Sequence, residues 1–119
     1  MPSPVVFFQI GTTDPAAARA FYGQLFDWEF TETGNPRTPV SINPKGPGDF
    51  DANGALLQLP PGAPPFVSIF VRVEDLWATV ARAEALGATV VLPITQPPGG
   101  PHLAIIRGPE GHTIGIVQA

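Results

Sequence analysis

The chain has 119 residues, 44% of them apolar and 13% charged, with a net charge of −4. That excludes an acidic disordered chain and supplies enough apolar material for one domain with a core of its own. Its basic residues (Arg19, Arg37, Lys45, Arg72, Arg82 and Arg107) are scattered, which argues against a nucleic-acid partner, and the absence of cysteine removes disulfides, thiolate nucleophiles and thiolate metal ligands together.

Met1-Pro2-Ser3-Pro4 has no basic n-region and no apolar run reaches the length of a membrane span. Neither a signal peptide nor a membrane partner is expected, and a cytoplasmic location is. The first strand is expected at Val5–Ile10, which is β-branched and aromatic. Asp14-Pro15 then suits a helix start, Asp accepting from free N–H groups and Pro fitting the first helical position. Phe21, Leu25 and Phe26 recur at helical spacing to Ala17 and predict an apolar helix face. Trp28–Thr31 alternates as a strand, Pro39–Asn43 is a weaker one, and Gly54–Leu59 is a third that stops at Pro60-Pro61-Gly62.

The order then recurs. Phe66–Val73 is a strand, and Asp75 caps a helix whose apolar face is Leu76, Val80, Ala83 and Leu86. Gly87 ends that helix, as a residue tolerant of positive φ. Thr89–Pro93 is a strand, and His102–Arg107 and His112–Gln118 flank Gly108-Pro109-Glu110-Gly111 as a hairpin, with His102 opposite Val117. The 16 prolines cluster at 36–47, 60–65 and 93–101, which read as loops and strand ends because proline donates nothing to a sheet ladder.

Asp14 and Asp75 stand 61 positions apart, and that shift, applied without gaps, lays strand on strand and helix on helix. Leu25 falls on Leu86, Phe30 on Val91, Gly54 on Gly115 and Ser41 on His102. Internal duplication accounts for this better than coincident spacing in an ordinary α+β domain. The expected fold is α+β: two tandem βαβββ modules, 1–61 and 62–119, in a single domain, forming a curved mixed sheet around a groove. One helix covers one face of each module's sheet, and the uncovered faces enclose the groove.

Three stretches resemble the vicinal oxygen chelate superfamily, the glyoxalase / bleomycin-resistance / dioxygenase group. Phe7-Phe8-Gln9-Ile10 through Asp14-Pro15 and Ala20-Phe21-Tyr22 to Leu25-Phe26-Asp27-Trp28 is similar to the family's strand followed by D-x-x-x-A-x-x-F-Y-x-x-L-F-G-W. Val71-x-Val73-x-Asp75 through Leu86-Gly87-Ala88 resembles the opening of its second module. Gly108-Pro109-Glu110-Gly111-His112-x-Ile114-Gly115-Ile116 resembles its closing D-P-x-G-N-x-I-G-L. The resemblance implies paired βαβββ units, a homodimer, and in many members one divalent metal held by His, Glu or Gln from four strands.

Carried over residue by residue, that ligand set falls on Phe7, near Gly54, and on Ser68 and Gly115, which supply no good metal donors. A slip of two residues would bring in only Gln9. His102 and His112 occupy opposite ends of the proposed hairpin, separated by roughly 16 Å of strand, too far to share an ion. No metal residues and no cofactor are therefore expected, a divalent metal remaining the alternative, and the catalytic residues are unknown. His112 and Glu110 read as turn residues.

If Phe7 and Gly115 face the groove, alternation places Gln9, Gly54, Leu56, Gln58, Ser68, Phe70, Thr113 and Val117 there too, joined by Ser41, Asn43, His102 and Ala104 if the middle strands keep register. That surface is apolar and aromatic, with neutral polar groups and no carboxylate. The candidate ligand-binding residues are Phe7, Gln9, Gln58, Ser68, Phe70, His102 and Thr113. Phe7 and Phe70 would stack on a flat ligand, or else fill a collapsed core, while Gln9, Gln58 and Ser68 orient its polar atoms. The expected function is a small-molecule-binding protein of the glyoxalase/bleomycin-resistance type without the family's metal. The alternatives are a metal-dependent lyase, isomerase or dioxygenase with an atypical site, and a partner module acting through dimerisation.

Overall fold

In the computed structural model, residues 2–44 and 53–119 are described; Lys45 and Pro47, in the first proline-rich stretch, lie outside them. The elements run β1 (Val5–Thr12), α1 (Pro15–Phe26), β2 (Glu29–Glu32), β3 (Val40–Asn43), β4 (Asn53–Gln58), β5 (Phe66–Val73), α2 (Leu76–Ala85), β6 (Thr89–Thr95), β7 (Leu103–Arg107) and β8 (Thr113–Gln118). The order βαβββ thus occurs twice, in mixed sheet, as the spacing of the two aspartates predicts. Two compact units are present, Phe7–Ser68 and Ile69–Ala119 together with the segment before Phe7.

In the first unit the strand order is β2-β3-β4-β1. β1 pairs parallel with β4 (Phe7 beside Asn53, Phe8 beside Gly54), and β4–β3 and β3–β2 are antiparallel. The core is Ile10, Val40, Ile42 and Leu56, with Phe8, Ala18, Tyr22, Trp28 and Phe30 packed against it. α1 starts as its sequence dictates: the Asp14 carboxylate accepts a hydrogen bond from Ala17 N–H at 3.1 Å, and Pro15 follows in the first turn.

The face by which α1 packs differs from the expected one. Phe21, Leu25 and Phe26 are 60%, 58% and 51% exposed, and the helix meets the core through Ala18 and Tyr22. Tyr22 sets that orientation, its ring lying 5.9 Å from Trp28, which is itself 5.7 Å from Phe8. The helix then ends at Asp27 with φ 58°, its N–H donating to the Gly23 carbonyl. The resembled motif has glycine at this position, and an L-residue with a Cβ is strained there. Asp27→Gly is accordingly expected to raise unfolding stability by about 0.5–1 kcal/mol, read from a urea titration midpoint at unchanged m-value.

In the second unit the order is β5-β8-β7-β6, with β5 parallel to β8 and the other pairs antiparallel. Val73, Leu76, Val80, Ala104 and Ile116 form its core. Asp75 caps α2 by accepting from Ala78 N–H at 3.1 Å. A second tie comes from β8, where Gln118 Oε1 accepts from Leu76 N–H at 2.8 Å and its Nε2 donates to the Glu74 carbonyl at 2.6 Å. These bonds satisfy one of the orphan donors at the helix start and the carbonyl just before it.

Three further expectations are corrected here. Leu86 is 66% exposed and caps α2 outside the core. β6 continues through Pro93 to Thr95, which the sheet tolerates because β6 is an edge strand with register shifts along its length. In the β7–β8 hairpin Leu103, not His102, lies opposite Val117, because the turn includes His112, whose carbonyl accepts from Gly108 N–H at 2.8 Å.

Candidate ligand-binding faces

Each sheet has a face under its own helix and an open face turned away from it. Core membership and alternation assign the residues. In the first unit Ile10, Leu56, Val40, Ile42 and Phe30 lie on the helix side. Phe7 and Gln9 of β1, Asn53, Ala55 and Leu57 of β4, Ser41 and Asn43 of β3, and Glu29 and Thr31 of β2 therefore occupy the open face. The ladder sets Phe7 beside Asn53, Gln9 beside Ala55, Ala55 beside Ser41 and Ser41 beside Thr31. The Ser41 hydroxyl donates to the Thr31 carbonyl at 3.3 Å.

Phe66 joins this face. A Cβ on Gly11 would stand 2.6 Å from the Phe66 ring, so that ring lies directly over the glycine. Phe7, Gln9 and Ser41 are half-buried, Asn53 is exposed, and Phe66 is 39% exposed. The surface offers aromatic area at Phe7 and Phe66, aliphatic area at Leu57, and neutral donors and acceptors at Gln9, Ser41 and Asn53. A carboxylate is present after all, Glu29, on the edge strand β2 opposite Asn43. Sequence reasoning passed over it because β2 was left out of the count of inward positions. Phe66 was missed although alternation with Ser68 and Phe70 along one strand would have placed it.

In the second unit Val73, Ala104, Ile106 and Ile116 belong to the helix side. Phe70 of β5, Thr113, Gly115 and Val117 of β8, and Leu103, Ile105 and Arg107 of β7 share the open face, and Ser68 shares it with Phe70 by alternation along β5. A Cβ on Gly115 would stand 2.3 Å from the Phe70 ring, which lies across the glycine. Phe70 is 4% exposed and Ser68 7%. Both are packed in place, whereas Thr113 and Arg107, adjacent across the ladder, are exposed.

Two expected site residues lie on the helix side. Gln58 follows Leu56 in parity, and its Nε2 donates to the Leu59 and Thr13 carbonyls at 3.0 and 3.4 Å. His102 shares parity with the buried Ala104, and its ring lies 5.3 Å from Trp77 of α2. The cause is a change of shift along the repeat. β1 and β5 correspond at 61 positions, but β4 and β8 correspond at 60. Gln58 and Gln118, and likewise Leu56 and Ile116, play the same parts. Val40 pairs with Leu56 as Ala104 pairs with Ile116, so β3 and β7 correspond at 64. An odd difference, one residue for β4 and three for β7, inverts every assignment on a strand, which moves Gly54, Leu56, Gln58, His102 and Ala104 to the helix side while Phe7, Gln9, Ser68, Phe70 and Thr113 stay on the open faces.

The divalent metal that the resemblance implies does not fit these residues. Gly54 points under the helix, where the Phe8 ring covers it, and Gly115 is covered by Phe70. Phe7 offers no donor atom. Among the described residues no three of His, Cys, Asp and Glu come together, and His102 and His112 lie at opposite ends of the β7–β8 hairpin. No helix among the described residues is long and apolar enough to cross a membrane.

Comparison with known proteins accords with this architecture. The profile of the glyoxalase-like domain matches residues 5–117. A curated relative, "Putative glyoxylase CFP32" of Mycobacterium tuberculosis (strain CDC 1551 / Oshkosh), is 30% identical over 91% of this chain. The chain spans only 42% of that relative's length. Among solved structures, a glyoxalase/bleomycin resistance protein/dioxygenase superfamily member from Vibrio splendidus 12B01 superposes with a TM-score of 0.66 at 14% identity, covering 99% of this chain and all (100%) of that one. The Mn(II)-bound glyoxalase from Novosphingobium aromaticivorans gives 0.65 at 19% identity, covering 98% of this chain and 40% of that one. With the doubled βαβββ order and a family match over nearly its whole length, the chain belongs to the glyoxalase-like domain family of the vicinal oxygen chelate superfamily.

Proposed function

We propose that this protein binds a small, partly flat and apolar molecule on the open sheet face of its first unit, gripping it by aromatic contact and neutral hydrogen bonds without a metal. The observation that carries this reading is the convergence of Phe7, Phe66 and Leu57 with Gln9, Ser41 and Asn53 on one side of one sheet, the polar groups being carboxamides and a hydroxyl. Such a face rewards a ligand with an apolar body and a few fixed polar atoms. Glu29, at the rim of the same face, favours a ligand with a hydrogen-bond donor or a positive charge on that side. The cytoplasm suits a chain without cysteine.

The test is a calorimetric and fluorescence titration against a panel of aromatic metabolites and drug-like compounds. Phe7→Ala and Gln9→Ala are each expected to weaken binding of a hit tenfold or more, about 1.4 kcal/mol, in proteins that remain folded by circular dichroism. Flat titrations throughout the panel would overturn the proposal. The second reading, a metal-dependent lyase, isomerase or dioxygenase, draws on the likeness to the Mn(II)-bound glyoxalase. Stoichiometric binding of Mn²⁺ to the purified protein would favour it over the first.

A further inference from the structure

We propose that the molecule taken by the open face of the first unit is an amphipathic amine, a reading that rests on this face being the binding surface. It carries an aromatic or apolar ring at one end, a protonated amine at the other, and hydroxyl or amide groups between. Glu29 stands beside Asn43. The β3–β4 pairing, Ser41 beside Ala55 and Ile42 beside Gly54, brings Asn43 level with Asn53 at its next step. Asn53 stands beside Phe7. One row therefore crosses four strands as carboxylate, carboxamide, carboxamide and phenyl ring. Residues level across a ladder share a face. The adjoining row, Phe30, Ile42, Gly54 and Phe8, packs on the helix side.

Neighbouring strands lie about 4.8 Å apart, so Glu29 and Phe7 are separated by roughly 14 Å of sheet. A lone ring cannot reach both, whereas a chain-linked molecule of drug size can. Among the described residues of this face Glu29 is the one charged group. The next row on the face, Thr31, Ser41, Ala55 and Gln9, is neutral. Arg19, the cation that approaches β2, lies on the other side of the sheet, its Nη2 donating to the Phe30 carbonyl at 3.4 Å and its guanidinium 5.8 Å from the Phe30 ring centroid. Arg37 is held at the far end of β4, where its carbonyl accepts from Gln58 N–H at 2.8 Å.

In open water Glu29 gains little from a counter-ion. A ligand lying along the row strips water from it, and an apolar or anionic end would leave the carboxylate desolvated and unpaired. An ammonium restores both the charge balance and the hydrogen bonds. The row thus selects by penalty at one end and by contact at the other, where Phe7 receives the ring. Between them each asparagine offers an acceptor oxygen and a donating NH₂, which suits a group that also does both, a hydroxyl or an amide.

Benzoylputrescine has this pattern: a ring, one amide and a terminal ammonium. It is titrated into the full chain beside N-acetyl-N′-benzoylputrescine, neutral at the same end, and N-benzoyl-δ-aminovalerate, anionic there. Ligands of this size bind near the millimolar range, so amide-resolved NMR is the readout. The amine is expected to bind at least about tenfold more tightly than either analogue, with shifts at Glu29, Asn43, Asn53 and Phe7. Glu29→Gln should shrink that preference to about twofold or less. Glu32→Gln removes the same charge from the same strand on its helix side, where Glu32 stands beside Val40, and should keep the preference. Phe7→Ala should weaken all three compounds alike. Equal affinities for the three, a preference that survives Glu29→Gln, or one lost equally with Glu32→Gln would overturn the amine, and the binding face would still stand if Phe7→Ala weakened binding. Flat titrations of all three would also sink the amine, and the face itself then stands or falls by the broader panel of aromatic compounds.

Discussion

Leu76→Ala is expected to lower unfolding stability by about 2–5 kcal/mol. Leu76 is fully buried and opens α2. Its side chain sits among Val73, Ala104 and Ile116, on strands held by backbone ladders, and Val80, one turn further along α2, none of which can readily collapse into the space it leaves. The loss adds transfer of the removed methyl groups to the cavity left behind, and it bears on a total of only roughly 5–15 kcal/mol for a domain of this size. Chemical denaturation monitored by far-UV circular dichroism measures it. Leu86→Ala is the matched control: Leu86 is the same residue type at the C-terminal cap of the same helix, 66% exposed, and should change stability by less than about 0.5 kcal/mol. Equal losses at the two positions would show that the stripe by which α2 packs has been misassigned.

Gly115→Ala is expected to cost about 1–3 kcal/mol, a large effect for one methyl group. The added Cβ would stand 2.3 Å from two Phe70 ring atoms, far inside contact distance, and Phe70 at 4% exposure has nowhere to swing. The pair should behave as a unit. Phe70→Leu alone loses packing, but in its background Gly115→Ala should be nearly harmless, giving a coupling of about 1 kcal/mol or more in a double-mutant cycle. Additive losses would mean that the ring does not lie across the glycine. The same geometry explains why a carboxylate placed at position 115 would not by itself create a metal site, since the aromatic ring already occupies the space that a longer side chain would need.

Phe66 over Gly11, Phe8 over Gly54 and Phe70 over Gly115 form one recurring device. In each case a ring fills the gap left by a glycine on a neighbouring strand, much as aromatic residues compensate for glycine in other sheets. For the second module this gives Gly115 a packing reason of its own. It also explains why Phe70, read from the sequence as either a stacking surface or a core residue, is a core residue here. Phe7 is half-buried on the first unit's open face.

The amino-acid sequence by itself determined the element order, the two aspartate caps and the duplicated βαβββ plan. Each depends on local chemistry: alternation, helical period, and an oxygen placed to accept a free N–H. It did not determine which face of β4 or β7 points where. The shift between modules is 61 at the first strand but 60 at the last and 64 at the third, and with a period of two any odd change in shift reverses a strand without altering its local pattern. Nor did it decide which apolar stripe of α1 would be covered. Phe21 and Leu25 are as hydrophobic as Tyr22, and only the stacking of Tyr22 and Trp28 beside Phe8, three residues far apart in sequence, rotates the helix to leave the other two outside.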